Sequence, residues 1–211
     1  MTEAATGLIL HSPEGVAFRF DPGALSLELL TTGGPGAYAR FEVLHRPADL
    51  AVWAGRSRLR PAPDVLVTEE ELAAARRLRD ELWVLAVDRV RGLPPRRAAL
   101  EAVNEAAALP SLVPRLGPPA GEHGAVAREE ALRSRWVQPA TGAQLLSTVA
   151  RDAVELLGGR YADRIRECAA SDCPLLFVDT SRPGKRRWCS MERCGNRHKV
   201  RALRSRREEE A

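Results

Sequence analysis

The sequence predicts an α+β fold: a body of helices and short strands, followed by a small four-cysteine module made of a β-hairpin and a helix. Three observations lead there. Apolar residues recur at helical spacing through the middle of the chain, as in Leu72, Leu78, Leu82, Leu85 and Val90. Short β-rich runs flank a Pro/Gly turn at the N-terminus, and two more, near residues 165 and 176, flank the first cysteine pair. All four cysteines, Cys168, Cys173, Cys189 and Cys194, lie in one C-terminal stretch.

Taken in order, GLILH (7–11) and VAFRF (16–20) flank Ser12-Pro13-Glu14-Gly15 and predict a hairpin. Asp21-Pro22 reads as a helix start for Leu25–Leu30, although that run alternates like a strand. Gly33, Gly34 and Gly36 make a turn, with no strand–glycine–helix context for a phosphate cradle. Pro47 opens a helix carrying Leu50, Val52 and Trp53. Thr68-Glu-Glu-Glu71 fits a capping box, in which hydroxyl and carboxylate take up amides left unpaired at a helix start, and that helix runs to Gly92. After Pro94-Pro95, a helix with Ala98, Leu100 and Val103 ends near Pro110. SLVPRL and LRSRWVQ predict two strands joined by a mobile loop, GPPAGEHGAVAREEA. Thr141-Gly-Ala-Gln144 starts a last long helix, with Leu145, Leu146, Val149, Val154, Leu156 and Leu157 as its apolar stripe. Gly158-Gly159 stops it and marks the expected boundary between a domain over 1–157 and a module over 160–207, with an acidic tail at 208–211.

Composition bounds the function. Hydrophobic residues make up 45% of the 211, enough for a buried core, while aromatics are only 5%, so aliphatic side chains must fill it. No apolar run approaches a membrane span, and MTEAATGLILHSPEG lacks the basic-then-apolar pattern of a secretory signal. The default expectation is a cytoplasmic protein, a reducing setting in which clustered thiols favour metal over disulfides. The net charge of +4 is unevenly spread: residues 160–207 carry 14 Lys and Arg against 5 Asp and Glu, a formal +9, leaving −5 for the rest. A basic module on an acidic body is the electrostatic footprint of a polyanion binder; a solvated basic tail would give the same count.

The thiols fall into two pairs, Cys168/Cys173 and Cys189/Cys194, each with four residues between, and fifteen residues separate the pairs. Two such hooks can close a tetrahedral thiolate shell around zinc. Unligated buried thiols and an iron–sulfur cluster use the same residues, and nothing else in the chain suggests electron transfer. A module of this size has little core beyond Leu175, Leu176, Phe177, Val178 and Trp188, so a structural ion would supply folding free energy, on the order of 10 kcal/mol. With four cysteines as ligands no position stays open for catalysis.

Strands are expected around Arg164–Glu167 and Pro174–Asp179, a turn at Ser181–Gly184, and a helix from Met191 capped by Ser190. On that helix Arg193, Arg197, Arg201 and Arg204 share one stripe, while Val200 and Leu203 share another. Lys185, Arg186 and Arg187 lie in the loop before Cys189, and Lys199 and Asn196 join the basic surface. These residue types neutralise phosphates and reach base edges, so they form the candidate nucleic-acid surface. Asn196 and Arg197 have a structural alternative, tying the module together, Arg197 against Asp179. His198 is a poor fifth ligand and a better phosphate contact.

The segment RECAASDCPLLFVDTSRPGKRRWCSMERCGNRHKVRALRSRR resembles the CGNR-type zinc finger through its four cysteines, Phe177, Asp179, Ser181, Arg186-Arg187-Trp188 and Cys194-Gly195-Asn196-Arg197. The resemblance implies that the cysteines bind structural zinc and that the module binds DNA. The body is similar, through LSLELLTT (25–32) and RPADLAVW (46–53), to the ABATE domain, the usual N-terminal partner of this finger in bacterial stress-induced transcription regulators. That similarity implies an α+β ligand-sensing domain. In the family the first segment usually reads Leu-Ala-Leu-Asp-Phe-Val-Asn-Thr; here Glu28 replaces the Asp, Thr31 the Asn, and Thr32 is kept, so Glu28, Thr31 and Thr32 are the expected, altered ligand positions.

The expected function is therefore a zinc-dependent regulator binding double-stranded DNA, with a small-molecule effector and a homodimer as further expectations, the latter because symmetric sites favour paired binders. An RNA- or ribosome-associated zinc protein is the alternative, and stacking aromatics would favour it. An enzyme in the N-terminal domain is a weaker reading: His11, His45 and His123 are scattered over turns and loops, with no nucleophile–base spacing, so no catalytic residue is expected.

Overall fold

The computed structural model describes residues 7–12, 14–117 and 132–200. The N-terminal hairpin pairs β1 (Leu8–His11) with β2 (Ala17–Phe20) antiparallel, Leu8 opposite Phe20 and His11 opposite Ala17. Helix α1 (Leu25–Leu29) follows and tightens into a 3₁₀ turn over Leu30–Thr32, then a second 3₁₀ turn covers Gly36–Phe41. Helix α2 (Pro47–Arg56) starts with Pro at its first turn, where a missing N–H costs nothing, and the Asp49 carboxylate accepts from the His45 and Arg46 amides. The remaining long elements are α3 (Glu69–Val90), α4 (Arg97–Ala108) and α5 (Gly142–Gly158).

Two residue pairs decide how the long helices line up. Strand β3 (Val65–Leu66) lies directly before α3, and β6 (Ala140–Thr141) directly before α5; the two pair in parallel, so both helices leave side by side. Thr68 and Thr141 each accept from the amide three residues on, completing the capping box read from the sequence at Thr68 and a second at Thr141. Glu71 serves both starts: one carboxylate oxygen accepts from the Thr68 amide at 2.9 Å, the other from the Ala143 amide at 2.8 Å. Between them, β4 (Pro114–Gly117) and β5 (Arg133–Trp136) form the expected antiparallel pair. The connecting loop, including His123, lies outside the described residues, as do Arg201, Leu203, Arg204 and the acidic tail.

The main core is aliphatic, as composition requires: Leu29, Leu44, Leu50, Leu72, Leu145 and Val149 are essentially inaccessible. Two stripe assignments need correction. Val154 is 45% exposed and Leu100 39% exposed. Each sits off its helix's inward face: Ala99 and Val103, four apart, are the buried pair of α4, and Val149, Ala153 and Leu156 carry that face of α5. Leu157 is only half-buried.

Beyond α5, a 3₁₀ turn (Ala162–Arg164) leads into β7 (Ile165–Glu167), antiparallel to β8 (Leu176–Val178). The turn over 181–184 follows, closed by the Gly184 amide on the Ser181 carbonyl, and then a wide helical turn over Met191–Gly195 that runs on as α-helix through 196–200. Ser190 occupies the residue before that turn in extended conformation, but its side chain makes no capping bond, contrary to expectation; its carbonyl instead accepts from the Gly195 amide. The period of two along β8 sorts its side chains. Leu176 and Val178, with Ile165, enter the main core, while Phe177 enters a second cluster with the four cysteines and Phe18 and Phe20 of β2. The cysteine module is therefore wedged between the helical body and the N-terminal hairpin. Burial of Phe18 and Phe20 there contributes on the order of 2 kcal/mol each.

Candidate metal centre and basic surface

Every sulfur of the four cysteines lies within 4.8 Å of the others, and all four residues are buried. Cys173 and Cys189 sulfurs stand 3.6 Å apart, Cys189 and Cys194 3.5 Å. A tetrahedron of 2.3 Å metal–sulfur bonds has edges of about 3.8 Å, so the four thiols fit one ion. The first hook is set by the Cys168 amide on the Leu175 carbonyl and the Cys173 amide on the Ala170 carbonyl; the second begins where the Cys189 amide donates to the Cys168 sulfur at 3.4 Å. Protons alone serve this cluster poorly. Hydrogen bonds from the Cys173 and Cys189 thiols, opposed by burial, pull Cys168 down to about 2. Donation to Cys168, together with burial, pushes Cys173 up to about 12, and Cys189 is raised too, first by its bonds to Cys168 and Cys173. Deprotonated together, four thiolates this close would need a compact cation between them.

Gly195 packs against Trp188 and the movable end of the exposed Met191 side chain. A Cβ there would come within 2.6 Å of the Met191 sulfur and 3.3 Å of the Trp188 ring. Asp179, fully buried, closes the loop before Cys189. It accepts from the Ser181 hydroxyl at 2.6 Å, the Ser181 amide at 3.0 Å and the Arg186 amide at 2.9 Å. Burial raises its pKa, but the Ser181 hydroxyl and the Arg186 and Ser181 amides outweigh that and hold it below the ordinary carboxylate value.

The basic residues divide by where their heads go. Arg186 turns inward: it covers the Phe177 ring at 4.1 Å and donates to the carbonyls of Cys189 at 2.6 Å, Trp188 at 3.1 Å and Asp21 at 3.3 Å, tying the module to the N-terminal segment. Arg193 lies over the Phe18 ring at 4.8 Å. Arg197 is paired with Asp172 at 2.7 Å and reaches the Cys194 sulfur at 3.8 Å; its partner is Asp172 rather than the Asp179 considered from sequence. Lys185, Arg187, Asn196 and Lys199 are exposed, and so is Arg182 in the preceding turn, which the sequence reading passed over. His198 is exposed at its edge and packs its ring on Trp188 at 4.7 Å.

The three expected ligand positions separate as well. Glu28 is fully buried and accepts from the Arg58 amide at 2.8 Å and Arg58 Nε at 3.0 Å; Arg58 also reaches Asp21 at 2.7 Å. Desolvation pushes the Glu28 carboxyl up, and Arg58 partly offsets it. Thr31 and Thr32 hydroxyls donate to the Glu28 and Leu29 carbonyls, and both residues line a cavity of about 530 Å³ in which Glu28 has no part. That cavity was not legible from sequence. Its walls come from the hairpin, the 3₁₀ turns, α2 and the cysteine module. The one available signal was the apolar alternation of Phe18 and Phe20, a strand face with no assigned partner.

No helix among the described residues is long and apolar enough to cross a membrane. A search of curated proteins found no match. Two family models do match: the CGNR zinc finger over residues 164–207, and, over residues 23–160, the family described as "Putative stress-induced transcription regulator" and called ABATE. The second spans well over half of the chain, and the four-thiol metal site falls inside the first. The chain therefore belongs to the ABATE family, whose description is "Putative stress-induced transcription regulator", and ends in a CGNR zinc finger.

Proposed function

We propose that the protein is a cytoplasmic transcription regulator in which zinc, held by Cys168, Cys173, Cys189 and Cys194, fixes a cationic surface that binds double-stranded DNA. The observation that carries the proposal is the sorting of charge around the thiols. Arg186, Arg193 and Arg197 brace the module, leaving Lys185, Arg187, Asn196 and Lys199 exposed on one small scaffold, joined by Arg182. Cations fixed in space neutralise phosphates without first losing side-chain freedom. The helix carrying Asn196 and Lys199 is of a width that enters a major groove. The action is binding rather than bond-making, and a four-cysteine shell suits a structural ion. Zinc is preferred to an iron–sulfur cluster because sulfurs within 4.8 Å leave room for one ion only.

The RNA reading is disfavoured by the aromatic residues. Phe177 is fully buried and Trp188 is half-covered under His198, so neither offers a free stacking face. The test is duplex binding by the full chain across a salt series. About five phosphate contacts give a log–log slope near −4.5, and Lys185→Ala/Arg187→Ala/Lys199→Ala flattens it by about 2.7 while metal content stays at one per chain. A slope near zero, or tighter binding to single-stranded RNA than to duplex, would reject the proposal.

A further inference from the structure

The 530 Å³ cavity lies within the size range of small-molecule sites, roughly 300–1,000 Å³. Leu8, Leu10, Phe18, Trp53, Trp83 and Leu175 give it an apolar and aromatic wall. Tyr38, also lining, stacks on Trp83 at 4.6 Å with the rings 4° from parallel, and Trp83 Nε1 donates to the Gly33 carbonyl, so this part of the wall is rigid.

The charged groups of the lining are not balanced. Each acid is already engaged: Glu42 by Arg79, Asp49 by the amides at the start of α2, Asp172 by Arg197. The cations Arg40, Arg56 and Arg193 form no ion pair among the described residues, although Arg193 and Arg40 lie over the Phe18 and Phe41 rings. An apolar wall and surplus cations select an aromatic molecule carrying one anionic group. Arg193 is also the residue before Cys194 and shares its helix with Asn196 and Lys199. A ligand held there touches the body and the metal module at once.

We propose that this cavity is the effector site for a small aromatic anion, gripped by Arg193 and Arg56, and that its occupancy changes how the basic surface binds DNA. The second half rests on the duplex-binding reading above; the first does not. The probe is 8-anilinonaphthalene-1-sulfonate, compared with N-phenyl-1-naphthylamine, which has the same rings and no charge, on the full metal-loaded chain. The expected result is saturable 1:1 binding of the sulfonate, weakened at least tenfold by Arg193→Gln, with the neutral amine changed less than twofold. Should Arg193→Gln release metal, Arg56→Gln is judged by the same criterion. Absence of saturable binding, equal affinity for both probes, or an unaltered sulfonate affinity in the variant overturns the site. In the second arm, saturating sulfonate shifts duplex affinity at least fivefold in the unmodified chain and not in Arg193→Gln. Sulfonate binding with unchanged duplex affinity overturns the coupling alone. Sulfonate binding in a chain that binds no duplex at all overturns the DNA reading and the coupling with it, and leaves the site standing.

Discussion

Single side chains carry the longest-range connections in this molecule. Arg79 on α3 is almost wholly buried and grips Glu42 with two hydrogen bonds, at 2.7 and 2.9 Å; Glu42 in turn accepts from the Leu44 amide. Gly33 makes room for this: a Cβ there would meet Arg79 Nη1 at 2.8 Å. Burial alone would raise the Glu42 pKa, but Arg79 and the Leu44 amide outweigh it and hold the carboxyl below its ordinary 4.5. A carboxylate whose folded pKa is depressed binds fewer protons than the unfolded chain does. Its contribution is therefore complete above about pH 4.5 and is lost as pH falls through the lower, folded value. Glu42→Gln leaves buried Arg79 with only the more exposed Asp80, at 3.1 Å, as counter-charge and should cost about 2 kcal/mol at neutral pH. Chemical denaturation at pH 7 and pH 3 checks both statements: the gap between variant and parent should narrow at the lower pH. A gap that is absent at pH 7, or that widens in acid, would contradict the assignment.

Among the elements, what the sequence disclosed and what it hid follow from locality. The N-terminal hairpin, the α2 start at Pro47, the Thr68 capping box and the β7–β8 pair depend on residues within a few positions of one another, and each is present as read. The short parallel pairing of β3 with β6 joins residues about 75 apart, and two-residue strands carry no period to detect. Burial of Phe18 and Phe20 against the cysteines is equally non-local. The thiol cluster was legible because ligand chemistry restricts residue type and spacing; the inward turn of Arg186 was not, because an arginine that braces and one that meets solvent look alike in one dimension. Glu71 is the sharpest case. Its role at Thr68 is a local motif, whereas its second oxygen on the Ala143 amide also caps α5. Glu71→Ala should thus cost more than an ordinary cap, about 2 kcal/mol rather than 1. Glu71→Gln, which keeps one acceptor oxygen, should recover part of it. Thermal unfolding of the two variants decides; a Glu71→Ala loss no larger than that of one ordinary cap, with Glu71→Gln close to the parent, would mean that only one helix start depends on the carboxylate.

On the scale of the whole molecule, the metal site is expected to hold more than the module that supplies its ligands. The thiols, Phe177, Phe18 and Phe20 form one apolar cluster, so the ion, the module and the N-terminal hairpin share a boundary. Backbone contacts reinforce it: the Val178 amide donates to the Pro22 carbonyl and Arg186 to the Asp21 carbonyl. Gly23, at φ +88°, brings the chain so close that a Cβ would sit 3.0 Å from the Val178 Cβ. The helices have an independent supply of buried surface, in Leu72, Leu82, Leu145 and Val149. Cys189→Ser, or removal of the ion by a chelator, should therefore release two separate stretches of sequence together, residues 165–200 and residues 8–20, while α3 and α5 keep their slow amide exchange. Because Ile165, Leu176 and Val178 also belong to the main core, the helical body should lose some stability without melting. Hydrogen exchange followed by peptide mass spectrometry reads all three regions at once. If residues 8–20 stay protected while 165–200 opens, the hairpin belongs to the body and the shared cluster is not a cooperative unit. If neither opens, the four thiols hold no ion that matters to the fold, and the basic surface must be kept in place by Arg186 and Arg197 alone.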